Sequence, residues 1–87
     1  MTLRVYVSDN RKYAFLEIES MMYYRFIEVE IRRKCIIRDY HSMTYKGVEM
    51  YETDISICYK LITDLLTKNI NQFMELLSQF KKTKKVN

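Results

Sequence analysis

The segment Phe15–Lys34, FLEIESMMYYRFIEVEIRRK, admits two readings that lead to different folds. Phe15, Ile18, Met22, Phe26 and Val29 recur at three- and four-residue steps, the period of one helix face. The same segment also alternates residue by residue. Leu16 and Ile18, then Ile27, Val29 and Ile31, stand on one side; Phe15, Glu17 and Glu19, then Phe26, Glu28, Glu30 and Arg32, stand on the other. Alternation is the period of a strand half-buried in a sheet. Ile27, Val29, Ile31, Ile36 and Ile37 are β-branched, which suits extended backbone better than helix. We therefore read two strands, Lys12–Glu19 and Tyr24–Arg33. Their connection, Ser20–Met21–Met22–Tyr23, holds neither glycine nor proline and is the weakest link in this reading.

Toward the N-terminus, Thr2–Ser8 alternates in the same way, and Asp9–Asn10 supplies turn chemistry before Lys12. The pattern specifies a hairpin register. Facing apolar side to apolar side requires Leu3 opposite Ile18, Val5 opposite Leu16 and Val7 opposite Ala14. The other face then pairs Arg4 with Glu17 and Tyr6 with Phe15, each such pair contributing about 0.2–1 kcal/mol.

Toward the C-terminus, Cys35–Ile36–Ile37 is apolar but Arg38–Asp39–Tyr40–His41–Ser42 is polar, which predicts a bend or loop near His41. Val48 and Met50 suggest a last short strand. Gly47 marks the turn entering it or a bulge within it, and a Lys46–Gly47 hairpin turn would add a strand near 38–45. From Thr53 to Phe80, Ile55, Cys58, Tyr59, Ile62, Leu65, Leu66, Ile70, Phe73, Met74, Leu77 and Phe80 keep helical spacing, with Thr53 or Asp54 as cap. An unbroken helix of that length would run about 40 Å, whereas a strand of seven or eight residues covers about 25 Å. The helix must overhang or break, and Lys68–Asn69–Ile70–Asn71 is the expected hinge. The expected architecture is thus α+β: an antiparallel sheet of three to five strands with a C-terminal amphipathic helix packed on one face. Residues 1–80 form one domain in this reading, and 81–87 a basic tail.

Eighty-seven residues make a single domain with a thin core, burying about 60% of the surface that the unfolded chain exposes. No apolar run approaches the ~18 residues of a membrane span, and Met1–Arg4 lacks a signal pattern, so an intracellular, cytoplasmic protein is expected. In that compartment Cys35 and Cys58 stay as free thiols, Cys58 serving as a small buried hydrophobe.

The chemistry of catalysis is not evident. With His41 as the one histidine, and with Cys35 and Cys58 far apart in sequence, there is no short-spaced metal signature. His41 reads as an exposed loop residue. A single glycine excludes a glycine-rich phosphate loop, and no cofactor is implied. Glu17, Glu19, Glu28 and Glu30 project from open sheet without a cleft that would make one of them an acid.

Function is therefore sought in surfaces left uncovered. If the helix covers the face of Leu3, Val5, Leu16, Ile18, Ile27 and Val29, the other face displays Tyr6, Tyr13, Phe15, Tyr24 and Phe26 beside Glu17, Glu19, Glu28 and Glu30, with Glu49 and Tyr51 as candidate neighbours. Aromatics rimmed by charge are typical of protein interfaces. A helix continuing past the sheet would carry Phe73, Met74, Leu77 and Phe80 into self-association, giving a homodimer; a second helix folded back would use them internally. The expectation is a non-enzymatic protein-binding module, an adaptor or inhibitor. Small size and abundant Lys, Ile and Tyr also suggest a viral or mobile-element antidefence protein. The rival expectation is nucleic-acid binding, because the net charge of +4 is concentrated in Arg32, Arg33, Lys34 and Arg38 and in Lys81, Lys82, Lys84 and Lys85.

Overall fold

The computed structural model describes residues 1–41 and 47–83. Among them the chain forms strands β1 (Thr2–Val7), β2 (Tyr13–Ser20), β3 (Tyr23–Ile31), β4 (Cys35–His41) and β5 (Val48–Thr53), then helices α1 (Ile55–Leu66) and α2 (Ile70–Thr83). The strands pair strictly in sequence order, each antiparallel to the next. The helix reading of 15–34 is displaced by two strands.

The first hairpin has the register that its pattern requires: Leu3 faces Ile18, Val5 faces Leu16, Val7 faces Ala14, Arg4 faces Glu17 and Tyr6 faces Phe15. Its turn is organised by Asn10, whose side-chain oxygen accepts from the Lys12 amide at 3.0 Å, while Arg11 takes the left-handed conformation at φ 56°. The second hairpin closes through exposed Met21 and Met22, neither of which has a positive φ. A turn of that kind needs no glycine, which is why its connection carried no turn signal. The third turn is Arg32–Arg33–Lys34, where the Arg32 amide donates to the Lys34 carbonyl at 3.0 Å. β4 then continues through the polar run and ends at His41, and the bend or loop expected near that residue reaches into residues outside those described. The proposed strand near 38–45 and the Lys46–Gly47 turn reach into residues outside those described.

One face of the sheet is covered. Ala14, Leu16, Ile27, Val29, Ile31, Cys35 and Ile37 are buried there against Cys58, Leu61, Ile62 and Leu65 of α1 and Phe73, Leu77 and Phe80 of α2. Fully burying a side chain such as Leu or Phe contributes about 1.5–3 kcal/mol, so this cluster supplies most of the driving force for folding.

The expected long helix is in fact two helices, and the break lies at the expected hinge. Lys68 adopts φ 59°, its amide donates to the Leu65 carbonyl at 3.0 Å, and the Asn69 amide donates to the Asp64 carbonyl at 2.7 Å. These two bonds are the Schellman closure of a helix C-terminus, with Lys68 in the position that usually holds glycine. Asn69 then starts α2, its carbonyl accepting from Phe73 at 3.1 Å and its side-chain oxygen from Gln72 at 3.4 Å. The reversal folds α2 back on the molecule, so Phe73, Leu77 and Phe80, expected to mediate self-association in an overhanging helix, are buried within the chain, with Met74 half-buried. At the start of α1, Asp54 holds the cap position but makes no side-chain capping bond. α2 extends to Thr83, so Lys81 belongs to the helix and not to a tail. No helix among the described residues is long and apolar enough to cross a membrane.

A left-handed lysine is a costly way to end a helix, because a Cβ disfavours that conformation by about 1–2 kcal/mol. Lys68→Gly should raise the stability to urea unfolding by about 0.5–1 kcal/mol.

Candidate functional site

The alternation of β1–β3 sends Tyr6, Tyr13, Phe15, Glu17, Tyr24, Phe26, Glu28 and Glu30 to the face that the helices leave open, and the registers bring all eight together. β4 adds Ile36, Arg38 and Tyr40, and β5 adds Val48, Met50 and Glu52. Glu49 and Tyr51, candidates for this face from the sequence, lie on the covered one. The β4–β5 register sets Tyr51 opposite Ile37 and Glu49 opposite Asp39. The residues missed by sequence reasoning, Tyr40 above all, sit on the strand that its polar composition left undecided.

An unbroken row of rings crosses four strands. Ring centroids are 5.6 Å apart for Tyr6 and Phe15, 5.0 Å for Phe15 and Phe26, and 5.5 Å for Phe26 and Tyr40, with Tyr13 at 6.3 Å from Tyr6. Such ring pairs are worth about 0.5–1.5 kcal/mol beyond their buried area. Phe15, Phe26 and Tyr40 are half-buried by one another and by their neighbours, while Tyr6 at one end is 48% exposed and Met50 beyond the other is 60% exposed.

The carboxylates among the rings are held by specific donors. Glu17 accepts from Tyr24 Oη at 2.8 Å and from Arg4 Nε at 2.7 Å; these bonds, the tyrosine first, lower its pKa. Glu30 lies 3.0 Å from Arg38 and 3.3 Å from Arg32. Burial opposes its ionisation, but the two guanidiniums outweigh it and the pKa is lowered. Glu28 accepts from Tyr13 Oη and, at 3.0 Å, from Tyr40 Oη. Burial, then the bond to Glu28, raises the pKa of both tyrosines, so both remain hydrogen-bond donors.

The residues expected to form a nucleic-acid site are divided by the fold. Arg32, Arg33 and Lys34 are exposed on the β3–β4 turn, whereas Arg38 lies on the open face against Glu30. Lys81 lies on the opposite side of the sheet, its Nζ 3.1 Å from both Asp39 and Glu49. Lys84, Lys85 and the side chain of Lys82 lie outside the described residues.

Lys81 belongs to a second polar assembly. Asp39 points into the covered side, fully buried, and accepts from Arg25 Nε at 3.1 Å, Arg25 Nη2 at 2.8 Å and Lys81 Nζ at 3.1 Å. His41 ends β4 half-buried, with Nε2 3.1 Å from Asp39 Oδ1, and so is not the loop residue expected. Asp39, His41 and Glu49 present ligand atoms within 4.8 Å of one another, a donor set that a divalent cation accepts. The Lys81 ammonium already stands between the two carboxylates. Cys35 and Cys58 are buried free thiols, and their mutual hydrogen bond, then burial, pushes the Cys35 pKa up, away from the reactive thiolate.

Comparison with protein-family models, with curated proteins and with solved structures finds no match for this chain.

Burial alone would raise the Asp39 pKa, but Arg25 and Lys81 hold it below the ordinary carboxylate range. Its stabilising effect is thus fully present above about pH 4, the unfolded value, and is lost as the pH falls through the lower folded value. Asp39→Asn should cost about 3–5 kcal/mol at pH 7 by stripping the charge from a buried pair. In urea titrations the gap between this variant and the parent should narrow below about pH 4.

Proposed function

We propose that the protein is a protein-binding module, an adaptor or inhibitor that acts by contact rather than by catalysis, and that its binding surface is the open sheet face. The observation that carries this reading is the row of rings from Tyr6 to Tyr40, exposed at Tyr6 and half-buried from Phe15 to Tyr40, on a face no helix covers. An apolar and aromatic surface of this kind, with polar groups placed among the rings, is the composition of an interface core.

Charge favours a protein over a nucleic acid. Stacking platforms for single strands surround their aromatics with cations that track the phosphates. On this face Arg4, Arg38 and, at its edge, Arg32 stand against Glu17, Glu19, Glu28, Glu30 and Glu52, an acidic excess that disfavours a phosphate backbone. An inhibitor directed at a basic protein surface fits both the shape and the charge.

Phe15→Ala combined with Phe26→Ala removes the centre of the ring row while leaving the buried core intact. The double variant should melt as a folded protein and lose the partners that co-purify with the tagged parent from its native cell. Retention of the same partners at the same yield would exclude this face as the binding surface.

A further inference from the structure

The three carboxylates amid the rings are built alike, yet they differ in one respect. Glu17 combines a tyrosine hydroxyl, Tyr24, with an arginine, Arg4, whose guanidinium carbon lies 5.9 Å from the Phe15 ring centroid. Glu30 is met by Arg38 and Arg32. Glu28, on the central strand, has two tyrosine hydroxyls and no cation among the described residues. Arg38 stands directly across from it in register but turns its guanidinium to Glu30. The carboxylate of Glu28 is therefore half-buried, tethered on both oxygens by neutral donors, and bordered by Phe15 and Phe26 as well as Tyr13 and Tyr40.

We infer that Glu28 and the surrounding rings form the anchor site for an arginine side chain of a protein partner. The inference rests on the reading of this face as a protein-binding surface and adds the partner's chemistry to it. A carboxylate has about four lone-pair sites, and the two tyrosines leave room for a guanidinium, whose plane also stacks on aromatic faces. The chain itself provides the pattern in Arg4, which bonds a carboxylate while lying over Phe15. The field of the whole face acts in the same direction, since its paired positions are acidic on a protein whose net charge is +4. A basic surface is attracted to this face, and the same acidic face of a second copy is not.

The test uses the full 87-residue chain, observed by NMR during titration with a blocked tetra-arginine peptide. Saturable shifts should centre on Phe15, Phe26, Glu28 and Tyr40. Glu28→Gln keeps an acceptor for the tyrosines and should weaken binding about tenfold. Glu19→Gln, the same charge change at the exposed rim, should weaken it by no more than about twofold. Equal losses in the two variants would mean that only the general acidic field attracts the peptide, and would overturn the anchor. Shifts centred elsewhere, no saturation, or tighter binding of a uridine hexanucleotide on this face would overturn it as well. Failure here while the Phe15 and Phe26 double variant still loses its native partner would leave the interface in place with a different anchor. Failure of both would remove the interface itself.

Discussion

The reversal at Thr67–Asn69 determines what the rest of the molecule can do. Without it, one helix would project beyond a sheet too short to cover it, and Phe73, Leu77 and Phe80 would be exposed. With it, the chain stacks two short helices on one side of the sheet and closes the core without a partner. Both helices are committed to that side by their apolar stripes, so the opposite side of the sheet has nothing to cover it. The open aromatic face is thus a consequence of how the C-terminal half turns back.

Much of this was legible from residues alone, and the limits are physical. The first hairpin could be read in full register because its two faces agree: apolar pairs on one side, Arg4 with Glu17 and Tyr6 with Phe15 on the other. The helix break could be located because the length mismatch required an overhang or a break, and asparagine can start a helix. β4 was left undecided between a loop and a strand near 38–45 because its inward position 39 is an aspartate, and alternation cannot distinguish a buried, paired charge from a loop residue. That one undecided strand also cost the site Tyr40 and made Glu49 and Tyr51 candidates for the wrong face, since strand register propagates to the next neighbour. Lys81 was assigned to a tail for a related reason: its charge shows in the sequence, but its carboxylate partners lie 42 and 32 residues away.

The Asp39 assembly shows how a small domain accommodates charge in its interior. Arg25 on the neighbouring strand supplies two hydrogen bonds, and Lys81 arrives from the last turns of α2. A buried ion pair adds little net stability over an apolar replacement, but losing one partner is costly. Its effect is to favour one placement of α2, because others would separate the half-buried Lys81 ammonium from both Asp39 and Glu49. The same lysine lies 5.6 Å from the centre of the Tyr51 ring, which itself meets Phe80 edge-on at 5.8 Å. Apolar and ionic contacts therefore fix the same seam between α2 and the sheet edge.

The strictly sequential order of the strands has a kinetic side. Each strand pairs with the one made just before it, so the sheet assembles by closing short loops, whose entropic cost is small, and chains rich in such local contacts fold quickly. The N-terminal hairpins can pair before the helices exist. The seam sealed by Lys81 spans the longest separation among the side-chain hydrogen bonds described above and involves residues synthesised after all five strands. During synthesis the ring face is complete before the core face is covered, so the nascent chain presents two apolar surfaces until α2 docks and leaves only one.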